Sequence, residues 1–272
     1  MPTPKTDAAK DIQTVNRLVS SLTPILCFDK EMTPFIKERV FRQLAEIKDR
    51  GLSYAAHFFY YFTTGQIDKG FEFAEKAIEI MPTDLITWRH YTLCVFWRCG
   101  SLKTIDIVKR AMAATHSPTL AFEGCFYATN VADFDFFLEM YDFLLRTGKF
   151  DELLSDRKSE DEERSMHTGI DNANLVKRYG KTEELRAVAA LMYEKLPLGK
   201  QHGLANLLVD VSDEDEQALL YELHFDEVDA EKCAAMNVEL ISERIEAGLT
   251  DWSVSGVYVA KSKELKGNAS HA

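Results

Sequence analysis

The stretch GLSYAAHFFYYFTTGQIDKGFEFAEKAIEIMP, residues Gly51 to Pro82, limits the fold of this chain more than any other part of it. Its second half sets Ile67, Gly70, Phe71, Ala74, Ala77 and Ile78 at helical spacing, with Asp68, Lys69, Glu72, Glu75, Lys76 and Glu79 opposite. That is the pattern of a helix with one face against a core. Pro82 ends it, because proline has no amide hydrogen to donate and pushes its predecessor into extended backbone. The first half carries Tyr54, Ala55, Phe58, Phe59, Tyr61 and Phe62. A helix apolar around most of its circumference has to be covered on several sides. Gly65 hinges the two helices, and the small residues Gly70, Ala74 and Ala77 let them approach closely. Two short helices cannot cover all of this apolar surface themselves, so the pair demands neighbours of its own kind.

Those neighbours are legible on both sides. Thr83-Asp84 predicts a cap before LITWRHYTLCVFWRC, Gly100 a second hinge, and Ser117-Pro118 the end of the returning helix. Gly65 and Gly100 are 35 residues apart, Pro82 and Pro118 36. Phe134 to Arg146 predicts a helix hinged at Thr147-Gly148, and residues 155–164 read as a solvated loop or a helix extended into water. A last hinged pair spans Met166 to Pro197, with Ala173, Ala187 and Ala190 as its small residues; Gly180 precedes Pro197 by 17 residues, as Gly65 precedes Pro82. Upstream, Asp7 to Leu22 predicts an amphipathic helix stopped by Thr23-Pro24. Thr33-Pro34 opens another that runs to Arg50, with Gly51 closing it. Downstream, Ser212-Asp213-Glu214-Asp215 reads as a capping box for a helix through Leu223. Asp229 caps a helix with Ala234, Val238, Ile241 and Ile245 on one face, and WSVSGVYVAK alternates like a strand.

The pattern resembles a tetratricopeptide repeat, a helix pair of about 34 residues. Tyr54, Tyr61, Gly65, Gly70, Ala77 and Pro82 occupy matching positions, while Phe58 stands where that family has glycine or alanine. The resemblance implies an all-α fold, a right-handed α-solenoid of stacked antiparallel helix pairs with an atypical C-terminal helical segment. Residues 1–50 would be N-terminal helices packing on the repeats, 51–200 the repeats, and 201–272 an acidic C-terminal helical cap and tail. It also implies a site, since the family's first helices line a groove that holds a peptide. Carried over by position, that groove would be lined by Phe59, Phe62 and Thr63, by His90, Cys94, Trp97 and Arg98, and by Asn174, Lys177 and Arg178. Asn174 matches a position that binds backbone or carboxylate in the family's peptide-clamping members; Ile170 stands where their companion lysine would be.

Charge separates the two halves. Of the net −12, residues 1–131 contribute +2 and residues 132–272 contribute −14, and residues 201–231 hold ten acidic side chains and no Lys or Arg. Such a half repels nucleic-acid phosphate and favours basic partners. Five cysteines without a CxxC pair fit reduced thiols in the cytoplasm better than a disulfide frame. There is no leader pattern and no apolar run near the roughly 20 residues a membrane helix needs. The seven histidines form no HExxH, and GxSxG, GxxxxGK[ST] and GxGxxG are absent, so neither a metal nor a cofactor is expected. The leading expectation is a cytoplasmic, non-catalytic scaffold or adaptor for a protein or peptide partner, without direct nucleic-acid or membrane binding and with no oligomeric state set by the sequence. An alternative is an acidic inhibitor or regulator that occupies a basic site on an enzyme or a nucleic-acid-binding protein. A third is an enzyme whose site is assembled from dispersed residues.

Overall fold

The computed structural model describes residues 7–28, 30–155, 160–196, 205–213, 216–225 and 229–260. Among these the chain is mostly helical, with twelve helices and three strands. It divides into two compact units, Met1–Leu120 and Ala121–Ala272.

The first unit holds α1 (Asp7–Phe28), α2 (Pro34–Glu46), α3 (Arg50–Thr63), α4 (Ile67–Ile80), α5 (Leu85–Cys99) and α6 (Ser101–Thr115). α3 packs on α4 and α5 on α6 as hairpins, α3 lies against α5, and α1 lies against both α3 and α5. The corners fall at Gly65 (φ 74°) and Gly100 (φ 84°), where a residue without Cβ turns the chain at little cost. Asp49 and Asp84 cap α3 and α5 by accepting from the amides of Leu52 (2.9 Å) and Thr87 (2.7 Å). Between the hairpins, Phe58, Phe62, Phe71, Trp88 and Tyr91 form a chain of ring contacts with centroids 5.2 to 6.4 Å apart. Tyr91 of the second hairpin thus packs against Phe58, the side chain that departs from the repeat pattern. The Tyr91 hydroxyl donates to Glu75 Oε1 (3.0 Å), and Arg110 grips the same carboxylate with two nitrogens at 2.8 and 2.6 Å. One acid on α4 therefore ties α5 and α6 to it.

Two boundaries differ from the sequence reading. α1 does not stop at Thr23-Pro24 but continues to Phe28, because Ile25, Leu26 and Cys27 are buried. Burial of an Ile and a Leu at about 1.5–3 kcal/mol each offsets the roughly 3 kcal/mol that an internal proline costs. α2 ends at Glu46, and Gly51 lies inside α3 instead of closing a helix. The buried Asp11 of α1 accepts from the amides of Lys48 (3.0 Å) and Asp49 (2.8 Å), which pins the connector and lets Asp49 restart the helix. Gly51 serves close packing, since a Cβ there would lie 2.8 Å from Met81 Sδ.

The second unit takes up the chain within α7 (Pro118–Asn130) and holds α8 (Phe134–Thr147), α9 (Phe150–Ser155), α10 (Glu160–Tyr179) and α11 (Thr182–Glu194). Its corners are Gly148 (φ 63°) and Gly180 (φ 65°); Pro197 and the middle of the 155–164 stretch lie outside the described residues. There follow β1 (Ala205–Asp210), β2 (Leu219–Phe225), α12 (Ala230–Glu246) and β3 (Val254–Ala260). They form a sheet in the order β1-β2-β3, antiparallel then parallel, with Leu219 opposite Val254. The expected C-terminal helical cap is thus corrected to a small sheet with one crossover helix. In place of a helix through Leu223, β2 buries alternate residues Leu219, Tyr221, Leu223 and Phe225, and that period of two decides its conformation. The acids before it serve the turn: Asp210 accepts from the Ser212 amide and Asp213 from that of Glu216. Glu214 and Asp215 of the expected capping box lie outside the described residues. β3 is the strand expected from its alternation, and Gly256 brings it onto α11, where a Cβ would meet Met192 Sδ at 2.5 Å.

Candidate functional site

The structure distributes the predicted groove residues unevenly. Phe59, Phe62, Thr63 and Cys94 are buried. Phe59 presents its ring to His90 (5.6 Å between centroids), Phe62 belongs to the aromatic chain between hairpins, and the Thr63 hydroxyl donates to the Phe59 carbonyl (2.7 Å). None of these four reaches solvent, so their assignment to a partner surface is corrected to core. The physical reason is α1, which packs on both α3 and α5. Arg98 belongs to the same arrangement. Its Nε donates to the Phe62 carbonyl (3.0 Å) and its Nη2 to those of Thr63 (3.1 Å) and Ile25 (3.4 Å). A cation at the carboxyl end of α3 meets the helix dipole favourably and fastens α1 to it. Trp97 is half-buried, 6.3 Å from the exposed ring of Phe28. Asn174, Lys177 and Arg178 lie exposed on α10 in the second unit, Arg178 with its guanidinium 5.1 Å from the ring of Tyr179.

His90 is half-buried, and loss of solvent, with Arg89 adding repulsion and Asp84 opposing it, holds its pKa down to about 4. Because the folded value lies below the ordinary one of 6.5, the contribution is full above that pH and is lost as pH falls toward 4. Between pH 7 and 4.5 this histidine should remove about 2 kcal/mol of stability. Urea unfolding at the two pH values should show that loss in the wild type and a smaller one in His90→Gln.

A different surface of the first unit gathers what a binding site needs. Tyr54, His57, Tyr61 and Phe73 lie half-buried with ring centroids 5.1 to 6.2 Å apart along one side of the α3–α4 hairpin. Three cations stand over them: Arg50 at 5.5 Å from Tyr54, Lys69 at 5.4 Å from Tyr61 and Lys76 at 4.9 Å from Phe73. Beside them Phe41 of α2 meets Tyr60 at 5.4 Å and walls a cleft of about 260 Å³ completed by Leu44, Ala45, His57 and Tyr61. The cleft is apolar at its base with cations nearby, which suits apolar side chains with a carboxylate close by. The signal for it lay in the all-round aromatic pattern of α3. Phe58, Phe59 and Phe62 are covered, while Tyr54 and Tyr61 on another side are only half so.

Other groups are quiet. Burial pushes the thiol of Cys27 up to about 11 and that of Cys125 up to about 12, so both stay protonated and poorly nucleophilic. In the second unit, Thr129, Asn130, Asn172, Asn206 and Tyr221 border a polar cleft of about 250 Å³. Asn206 Nδ2 donates to the Thr129 carbonyl (2.8 Å) and the Tyr221 hydroxyl to that of Asn130 (3.2 Å), so these groups already hold one another. Among the described residues there is no group of three or more His, Cys, Asp or Glu placed to hold a metal ion, and no helix long and apolar enough to cross a membrane. Comparison with protein-family models, with curated proteins and with solved structures returns no match.

Proposed function

We propose that this chain is a cytoplasmic, tetratricopeptide-like scaffold that holds a segment of a partner protein on the aromatic and cationic face of α2, α3 and α4. In this reading the α3–α4 and α5–α6 hairpins are successive members of a right-handed stack, and α1 covers the face on which the family would seat a peptide. The observation that carries it is the set of half-covered rings at Phe41, Tyr54, His57, Tyr61 and Phe73 under Arg50, Lys69 and Lys76. Rings and arginines of this kind dominate the energetics of protein interfaces. The five free cysteines, four of them buried, support a reducing compartment.

The test is affinity capture from native cytosol with the full chain and with Phe41→Ser/Tyr61→Ser. Partners held on this face should fall at least tenfold in the double variant, because residues at the centre of an interface are worth about 2 kcal/mol or more. Trp97→Ala should capture as the wild type does. Equal recovery by the wild type and the double variant, with circular dichroism showing both folded, would remove the face from consideration.

A further inference from the structure

α12 turns its apolar stripe outward. Ala234, Val238, Ile241 and Ile245 recur at intervals of four, three and four residues, the seam along which helices pair. A stripe of this kind ordinarily faces a core, yet Val238 is 68% exposed, Ile241 51% and Ile245 58%. The adjoining face is held by backbone chemistry. Asn237 Oδ1 accepts from the Tyr258 amide (2.7 Å) and its Nδ2 donates to the Tyr258 carbonyl (3.0 Å). Arg244 Nη2 donates to the carbonyls of Asp251 (3.1 Å) and Val254 (2.8 Å). Cys233 and Leu240 are buried beside them. With its polar side chains anchoring β3 and the loop before it, the helix presents valine and two isoleucines to water. Contiguous exposed apolar surface of this kind marks an interaction site.

Charge says what covers it. At 100° per residue, Glu239 and Glu246 fall on the flank beside the stripe and Glu231 next to Val238, all exposed, with Lys232 the one base of the helix on that flank. Between the stripe and Glu239 and Glu246 stand Ala235 and Ser242, small enough to admit another helix closely. The carboxylates already act together on a cation: Lys195 is raised above its ordinary pKa first by its bond to Glu243 and further by Glu239 and Glu246. We infer that this face docks a basic amphipathic helix of a partner protein, its apolar side on Val238, Ile241 and Ile245 and its Lys or Arg over Glu239 and Glu246. A second copy is disfavoured, because residues 121–272 carry 16 basic and 31 acidic side chains and would meet their own charge. This proposal concerns the second unit and does not rest on the scaffold reading of the first.

The probe is a fluorescein-labelled helix of leucine at i, i+3, i+4 and i+7 with lysine elsewhere, titrated into the full chain by anisotropy, beside a leucine–glutamate counterpart. The lysine probe should bind saturably at one per chain. Val238→Ser/Ile241→Ser should weaken it at least tenfold, and Glu239→Gln/Glu246→Gln should weaken it and flatten its salt dependence. Both pairs are exposed, so near-ultraviolet circular dichroism should stay that of the wild type. Single-site Ile245→Ser gives a milder check should the first double variant not fold. Equal binding of the lysine probe by every stripe variant, or equal binding of the glutamate probe, overturns the proposal. So does a wild-type dimer in sedimentation that Val238→Ser/Ile241→Ser makes monomeric, or flotation with phosphatidylserine vesicles lost in that variant.

Discussion

Phe62→Ala is expected to destabilise the first unit by about 3–5 kcal/mol, the range for truncating a buried aromatic ring. The side chain is completely buried, meets the rings of Phe58, Phe71 and Tyr91 at 5.2 to 6.4 Å, and occupies the space that Gly70 leaves open. A Cβ on Gly70 would stand 2.8 Å from that ring, so the two positions must answer for one another. Gly70→Ala alone should be destabilising through that clash, and in the Phe62→Ala background much of its cost should vanish as the new methyl enters the cavity. Neighbours sharing one space couple in this way, whereas distant sites add. The measurement is urea unfolding followed by tryptophan fluorescence in a Trp252→Phe background, which reports the unit through Trp88 and Trp97. A loss under about 1 kcal/mol would place Phe62 in an open groove and not in the core.

What the sequence revealed and what it hid divide along the range of the interactions. Gly65, Gly100, Gly148 and Gly180 mark corners, and Asp84 and Asp229 cap helices, because those features depend on a few adjacent residues. The spacing of Phe59 and Phe62 matches groove positions. Whether such a ring meets a partner or the chain's own α1 depends on residues some forty positions away. The aromatic face of α2–α4 was hidden for the same reason: Phe41 meets Tyr60 only once α2 has docked on α3. In the C-terminal sheet, acidic capping signals compete with period-two burial, and burial decides. Asp213 does accept a backbone amide there, but from a turn between strands. α12 is the sharpest instance. Its start and its apolar stripe were both legible, and the direction of the stripe was not, because Asn237 and Arg244 find their partners on β3 and the loop before it.

Arg244→Ala should cost the second unit about 3 kcal/mol, the scale for removing one side of a buried charged hydrogen-bond set. Arg244 is only 3% exposed, and its guanidinium stacks 4.4 Å from the ring of Trp252. Burial lowers its pKa, opposed by Asp251, whose own carboxylate is held by Lys181 (2.7 Å) and Ser253. Its Nε finds no hydrogen-bond partner, so the site bears part of the desolvation cost uncompensated. Truncation would take the Arg244 donor from the Val254 carbonyl, leave the Asp251 carbonyl with only the long bond from the Val254 amide (3.4 Å), and open a cavity beneath Trp252. Two further variants separate these terms. Arg244→Met keeps most of the volume and removes donor and charge together; a cost near that of alanine would show that the orphaned carbonyls dominate. Arg244→Lys keeps the charge but offers no planar fork, and should fall between methionine and the wild type. Trp252 fluorescence, read in a Trp88→Phe/Trp97→Phe background, follows all three locally. Because Arg244 fastens the core-facing side of α12, Arg244→Ala should also weaken the lysine probe on the outer stripe, although the side chain lies on the neighbouring, buried face of the helix. If probe affinity instead survives unchanged while stability falls, the stripe is presented by α12 whether or not its inner face is anchored.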